Sequence, residues 1–95
     1  MRLSSYEQTM IKKAFKEVFI GGEIYLFGSR VDDNQNGGDI DLYLVPYDRS
    51  YDRDKKTKFL VKLDEYIGEQ KIDVILAKDT NRLIEKEALR YGIKL

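Results

Sequence analysis

Apolar residues recur at two periods along this chain, and the alternation between those periods marks out its elements. Ile11, Ala14, Phe15 and Val18 fall three and four apart, the period of one helix face. Ser4 and Ser5 precede Glu7 and Gln8 at capping-box spacing, which predicts the helix start, and Gly21-Gly22 predicts its end. Glu23 to Phe27 is short, apolar and aromatic, hence a strand. Gly28 to Gly38 is rich in glycine and asparagine and predicts a loop, with room for a short helical turn after Ser29. Asp39 to Val45 predicts a second strand, ended by Pro46.

A polar connection, Tyr47 to Asp54, follows. Lys55 to Ile67 then sets Phe59, Leu60, Leu63 and Ile67 on one helical face, with Gly68 behind it. Lys71 to Ala77 predicts a third strand built on Ile72, Val74, Ile75 and Leu76. Asp79 or Thr80 stands where it could cap a last helix carrying Leu83, Ile84, Ala88 and Leu89, with Gly92 at its C-terminus. The order α-β-β-α-β-α, without repeats or linkers, predicts one α/β (α+β) domain over residues 1–95, a small mixed sheet covered by helices.

Composition narrows the chemistry. A chain of 95 residues is enough for one domain. It has no cysteine and no histidine, so thiolate sites, disulfides and imidazole catalysis are all excluded. Any metal or acid–base work falls to carboxylates, whose oxygens suit magnesium, manganese or calcium. Seventeen basic residues balance seventeen acidic ones, and that lack of basic excess argues against direct nucleic-acid binding. No stretch is apolar and long enough to span a membrane, and no secretion core follows Met1, so a soluble cytoplasmic protein is expected.

Within that frame the carboxylates stand out. Side chains alternate along a strand, so Asp39 and Asp41 share a face while Ile40 and Leu42 take the other. Two adjacent carboxylates repel unless a cation lies between them, and a divalent metal is the direct solution. The plain alternative is a polar strand edge, but the apolar flank Leu42, Leu44 and Val45 speaks for burial. Gly28-Ser29 follows a strand directly, where main-chain N–H groups and a hydroxyl can receive phosphate oxygens; alone, the same dipeptide is ordinary loop chemistry. Asp73 sits inside an apolar strand, which calls either for an ion pair or for a role as third acid beside Asp41. Asp32, Asn34, Asn36 and Gly37 fit the first half of a calcium-binding EF-hand loop. That pattern then fails, because Tyr43 stands where its last glutamate belongs and strands replace its helices.

Taken together, Phe27-Gly28-Ser29-Arg30, Gly38-Asp39-Ile40-Asp41-Leu42 and Ile72-Asp73-Val74 resemble the polymerase-β-like nucleotidyltransferase superfamily. More narrowly, the chain resembles the minimal nucleotidyltransferases (MNT) that act as antitoxins. The resemblance implies a palm-like α/β fold, Mg²⁺ (with Mn²⁺ as a substitute) held by Asp39, Asp41 and Asp73, and a triphosphate received by Gly28, Ser29 and Arg30. It also implies attack of an acceptor hydroxyl on the α-phosphate of ATP, with pyrophosphate leaving. The implied partner is a HEPN-domain toxin, neutralised by contact and by AMP added to one of its tyrosines. One departure is visible: the loop Val31 to Gly38 carries two acids, Asp32 and Asp33, and no base beyond Arg30, which weakens attraction for a triphosphate.

That departure keeps a second function open, an antitoxin that works by binding alone with an idle site. Transfer to a small molecule such as an aminoglycoside is a third, for which this chain is short of an acceptor domain. Three further features belong here. Arg49, Arg53, Lys55, Lys56 and Lys58 form a basic cluster that reads as a solvated face or a phosphate or partner site. Tyr43 falls on the Asp39–Asp41 face, for packing or for stacking on a base. Ile93 and Leu95 are placed to pack back or to dock onto a partner.

Overall fold

In the computed structural model, residues 1–34, 37–49 and 52–95 are described. Helix α1 runs Ser5–Phe19, and its start is the predicted capping box: the Ser4 side chain accepts from the Glu7 N–H, and Glu7 accepts in return from the Ser4 N–H. It ends at Phe19, with Ile20 as its C-cap directly before the glycines. Strand β1 is Gly22–Phe27, followed at once by a short 3₁₀ turn, Gly28–Val31. Strand β2 is Ile40–Pro46, helix α2 is Arg53–Ile67 and strand β3 is Ile72–Leu76. Asp52 caps α2 by accepting from the N–H groups of Asp54 and Lys55.

Helix α3, Leu83–Tyr91, starts later than the sequence suggested. Its cap position is Arg82, not Asp79 or Thr80, and makes no side-chain cap bond. Asp79 instead accepts from the N–H of Asn81, a local turn that competes with capping. A two-residue strand, β4 at Ile93–Lys94, closes the chain and has no counterpart in the sequence reading. Ile93 pairs with Leu26 and Leu95 packs on the core, so the C-terminal apolar residues turn inward.

The sheet is mixed, in the order β3-β2-β1-β4. β1 is antiparallel to β2 and to β4, while β2 and β3 run parallel, joined by the α2 crossover. Alternation then divides the sheet into two faces. Ile24, Leu26, Ile40, Leu42, Leu44, Val74 and Leu76 join Ile11, Phe15, Phe19, Phe59 and Leu63 of α1 and α2 in the main core. The second face carries Phe27 and Tyr43, with Tyr25, Val45, Ile75 and Ala77, against Ala88 and Ile84 of α3. One nine-residue helix thus serves a face that two fifteen-residue helices serve on the other side. Among the described residues, no helix is long and apolar enough to cross a membrane.

Candidate active site

The end of β1 is shaped by what its turn lacks. Gly28 has φ +76°, and a Cβ there would stand 2.3 Å from Oδ2 of Asp41. Only glycine lets this bend lie against that carboxylate. Gly38, at φ +91°, makes a matching approach from the other end of the loop: a Cβ there would meet Ser29 Oγ at 2.2 Å. The Ser29 hydroxyl is therefore packed against the Gly38 backbone, one residue beyond the bend that lies against Asp41.

Asp41 is the second residue of β2, and its register partners are Phe27 on β1 and Asp73 on β3. Because Ile40, Leu42, Val74 and Leu76 point into the main core, Asp41 and Asp73 share the opposite face. Parallel pairing in register sets them about 5 Å apart at the backbone. Burial pushes the Asp41 carboxyl above its ordinary range, Asp73 and Asp39 push it further, and Lys71 partly opposes them. Asp39 precedes β2 by one residue and pairs with Lys71 at 3.4 Å. Asp41 and Asp73 are thus brought together, with Asp39 near enough to act on Asp41 but engaged by a lysine.

The donor set suits a hard divalent cation: oxygen ligands only, in a place where carboxylates repel one another. As the side chains stand, no group of three or more acids among the described residues is close enough together to hold a metal. Drawing Asp39 in would break only a solvent-exposed ion pair, whose side chains are 76% and 38% exposed, an exchange costing about 1 kcal/mol or less.

Arg30 braces the loop. Its Nε donates to the Gly38 carbonyl at 3.1 Å and its Nη1 to the Arg2 carbonyl at 3.0 Å. Two open cavities flank the acids and share Phe27. One, of about 350 Å³, lies along Gly28, Ser29, Val31 and Tyr91. The other, of about 450 Å³, takes in Asp41, Asp73, Lys56, Leu60 and Ile84. Of the basic cluster, Lys56 reaches this second cavity and Lys55 pairs with Asp48 at 3.7 Å.

Sequence reasoning missed Glu85. It is fully buried on α3 and gathers the Tyr43 hydroxyl at 2.7 Å, the N–H groups of Lys78 and Asp79, and Arg82 Nη1 at 3.2 Å. Its spacing of three from the inward-facing Ala88 was the available signal. The same bond settles Tyr43, which is 1% exposed and packs; it is not free to stack on a base. For the calcium-loop alternative, Asn36 lies outside the described residues, and the flanks of that segment are the 3₁₀ turn and β2 rather than two helices.

Two comparisons bear on identity. No curated protein matches the chain. The family model described as Polymerase beta, Nucleotidyltransferase matches residues 9–95, which takes in all three acids, the glycine-serine turn and every strand. With a mixed sheet, three helices and a family match that spans nearly the whole chain, this chain belongs to the polymerase-β-like nucleotidyltransferases.

Proposed function

We propose that this chain is a metal-dependent nucleotidyltransferase that moves AMP from ATP to a protein hydroxyl, a tyrosine of a HEPN-type toxin partner, and so acts as a cytoplasmic antitoxin of the MNT kind. Residues 1–95 are read as one minimal catalytic domain. The observation that carries the reading is the in-register pair Asp41–Asp73, with Asp41 standing against Gly28, on the face that α3 covers only in part.

Asp39, Asp41 and Asp73 are assigned to Mg²⁺ or Mn²⁺, and Gly28, Ser29 and Arg30 to the triphosphate. A divalent cation bound there would neutralise phosphate charge and lower the pKa of the acceptor hydroxyl. The residues then divide the work across the sheet. Ser29 and the turn hold the β- and γ-phosphates on the β1 side. The acceptor hydroxyl comes from the β3 side, where the cavity lined by Asp73 and Lys56 opens. Its oxygen forms a bond to the α-phosphorus as the bond to the bridging oxygen breaks. Pyrophosphate leaves with that electron pair, and Asp73 accepts the hydroxyl proton and passes it to solvent.

Incubation with labelled ATP, Mg²⁺ and the neighbour-encoded protein tests this. Label should move to a tyrosine and disappear in Asp41→Ala and Asp73→Ala; transfer undiminished in both would refute the assignment. A second reading, neutralisation by contact alone, draws on the commitment of Arg30 to two carbonyls and of Asp39 to Lys71. It predicts that the same variants still silence the partner.

A further inference from the structure

The loop that closes the glycine-serine turn carries two acids and no base between Val31 and Gly38. An arginine nevertheless stands inside it, delivered from the other end of the chain. Arg2 donates from Nε to the Asp32 carbonyl at 2.9 Å, from Nη1 to the Gly37 carbonyl at 2.5 Å and from Nη2 to the Ser29 carbonyl at 2.9 Å. Its main-chain N–H bonds the Arg30 carbonyl at 2.7 Å, and its own carbonyl accepts from Arg30 Nη1. We propose that Arg2 is a positioning residue for the phosphate-binding turn, fixing the direction of the turn's peptide groups by gathering three of their carbonyls on one guanidinium. This rests on the reading that Gly28–Ser29 receives a nucleoside triphosphate.

The physics lies in the peptide plane. In a trans peptide the C=O and the following N–H point in opposite directions. Carbonyls of Ser29, Asp32 and Gly37 that point at Arg2 therefore send the N–H groups of Arg30, Asp33 and Gly38 the opposite way. A carbonyl facing a phosphate repels it, whereas an N–H facing it attracts. Arg2 draws the negative ends of three dipoles onto one guanidinium and turns their positive ends outward, away from it. It also brings a fixed positive charge to a loop that holds Asp32 and Asp33.

Two neighbours give the arrangement stiffness. Leu3 is buried in the core and Ser4 caps α1, so Arg2 is one bond from an anchored point. Beside it, the position of a Cβ on Gly38 lies 3.7 Å from Arg2 Nη2 and 2.2 Å from Ser29 Oγ, which packs the guanidinium, the serine and the glycine backbone into one spot. The fork geometry matters: a lysine ammonium offers its donors from a single atom and cannot span three carbonyls. Arg2 also lies outside the span of the family match, residues 9–95, so this brace belongs to the chain's own N-terminal segment.

Arg2→Lys and Arg2→Ala, in the full chain, test the proposal. Magnesium-ATP affinity is followed by calorimetry, transfer rate at saturating ATP separately, and amide hydrogen exchange residue by residue. Both variants should bind ATP about tenfold more weakly, with the saturated rate changed less than about threefold. Exchange should rise at residues 28–34, 37 and 38 while α1, α2 and the strands keep wild-type protection, and Arg2→Lys should melt within about 2 °C of wild type. Lysine restoring wild-type affinity and exchange would overturn the proposal, as would exchange that rises throughout the molecule rather than in the loop. Should wild type itself bind no ATP, the transferase reading fails, and the exchange pattern at 28–34, 37 and 38 still decides whether Arg2 sets the loop.

Discussion

Replacing Tyr43 by phenylalanine removes one oxygen and leaves the ring in place, so its effect can be worked from the structure. The hydroxyl donates at 2.7 Å to a carboxylate that is 0% exposed, from a ring that is 1% exposed. A hydrogen bond to a buried charged group contributes about 1.5–3 kcal/mol. Glu85 keeps the N–H groups of Lys78 and Asp79 and the guanidinium of Arg82, so the lower part of that range applies, about 1.5–2 kcal/mol. For a domain of this size that lowers Tm by roughly 6–16 °C. The pH dependence gives the sharper check. Burial by itself raises the Glu85 carboxyl, but the Asp79 N–H, the Tyr43 hydroxyl, the Lys78 N–H and Arg82 outweigh it and hold the group below its usual value of 4.5. A carboxyl depressed in the folded state adds stability that is complete above 4.5 and is lost as pH falls through the folded value. Tyr43→Phe removes part of that depression, so wild type and variant should differ most near neutrality and converge in acid. Urea titrations at neutral pH and near pH 3 read both. Equal gaps at the two pH values, or no gap at neutrality, would refute the reasoning.

Three other perturbations follow from single contacts. Gly28→Ala adds a Cβ 2.3 Å from Asp41 Oδ2 at a φ of +76°; it should cost at least about 1 kcal/mol in a denaturant titration and lower labelled-AMP transfer by displacing that carboxylate. Asp41→Asn keeps the shape but removes a charge strained by burial, Asp73 and Asp39. In metal-free buffer it should raise stability by roughly 0.5–2 kcal/mol at neutral pH, a gain that vanishes below the ordinary aspartate value, where wild type is protonated too, while with Mg²⁺ supplied its transfer is lost. Ile20→Gly relieves a branched residue at φ +71° that is 88% exposed; thermal melts should show a gain of about 1 kcal/mol, and a loss would mean that Ile20 is held by contacts the fold needs.

Much of this architecture was legible because short-range rules and the core agree. The capping box at Ser4 and Glu7 is a local device, and it forms as read. The placement of Asp73 beside Asp41 follows from a helix lying between their strands, since a helical crossover makes the pair parallel and parallel register aligns residues of like phase. What escaped the sequence reading depends on distant partners. Nothing near Arg2 announces that its guanidinium will meet carbonyls of residues 29, 32 and 37. Strand β4 is two residues long, too short for any period to show, and exists because the edge of β1 is there to receive it. Asp79 looked like a cap because its residue type caps helices; its carboxylate went to Asn81, and the helix began at Leu83.

Two carboxylates on neighbouring strands should drive those strands apart, and the magnitudes explain why they do not. Unit charges about 5 Å apart at an effective dielectric constant near 20 repel by roughly 3 kcal/mol, and water at this half-open face lowers that figure. On the opposite face of the same two strands, Ile40, Leu42, Leu44, Val74 and Leu76 are all buried against α1 and α2. Each such side chain contributes about 1.5–3 kcal/mol, so the five together exceed the repulsion severalfold. The period of two separates the effects: what fixes the position of β2 and β3 is the even-numbered core, and what accumulates on the other side is charge that the core can hold in place. An unpaired pair of acids would be eroded from a face that had to stabilise itself. Here it survives because the face it occupies is not the one that holds the sheet together, and α3, anchored through Glu85 to Tyr43, covers its part of that face without needing the acids at all.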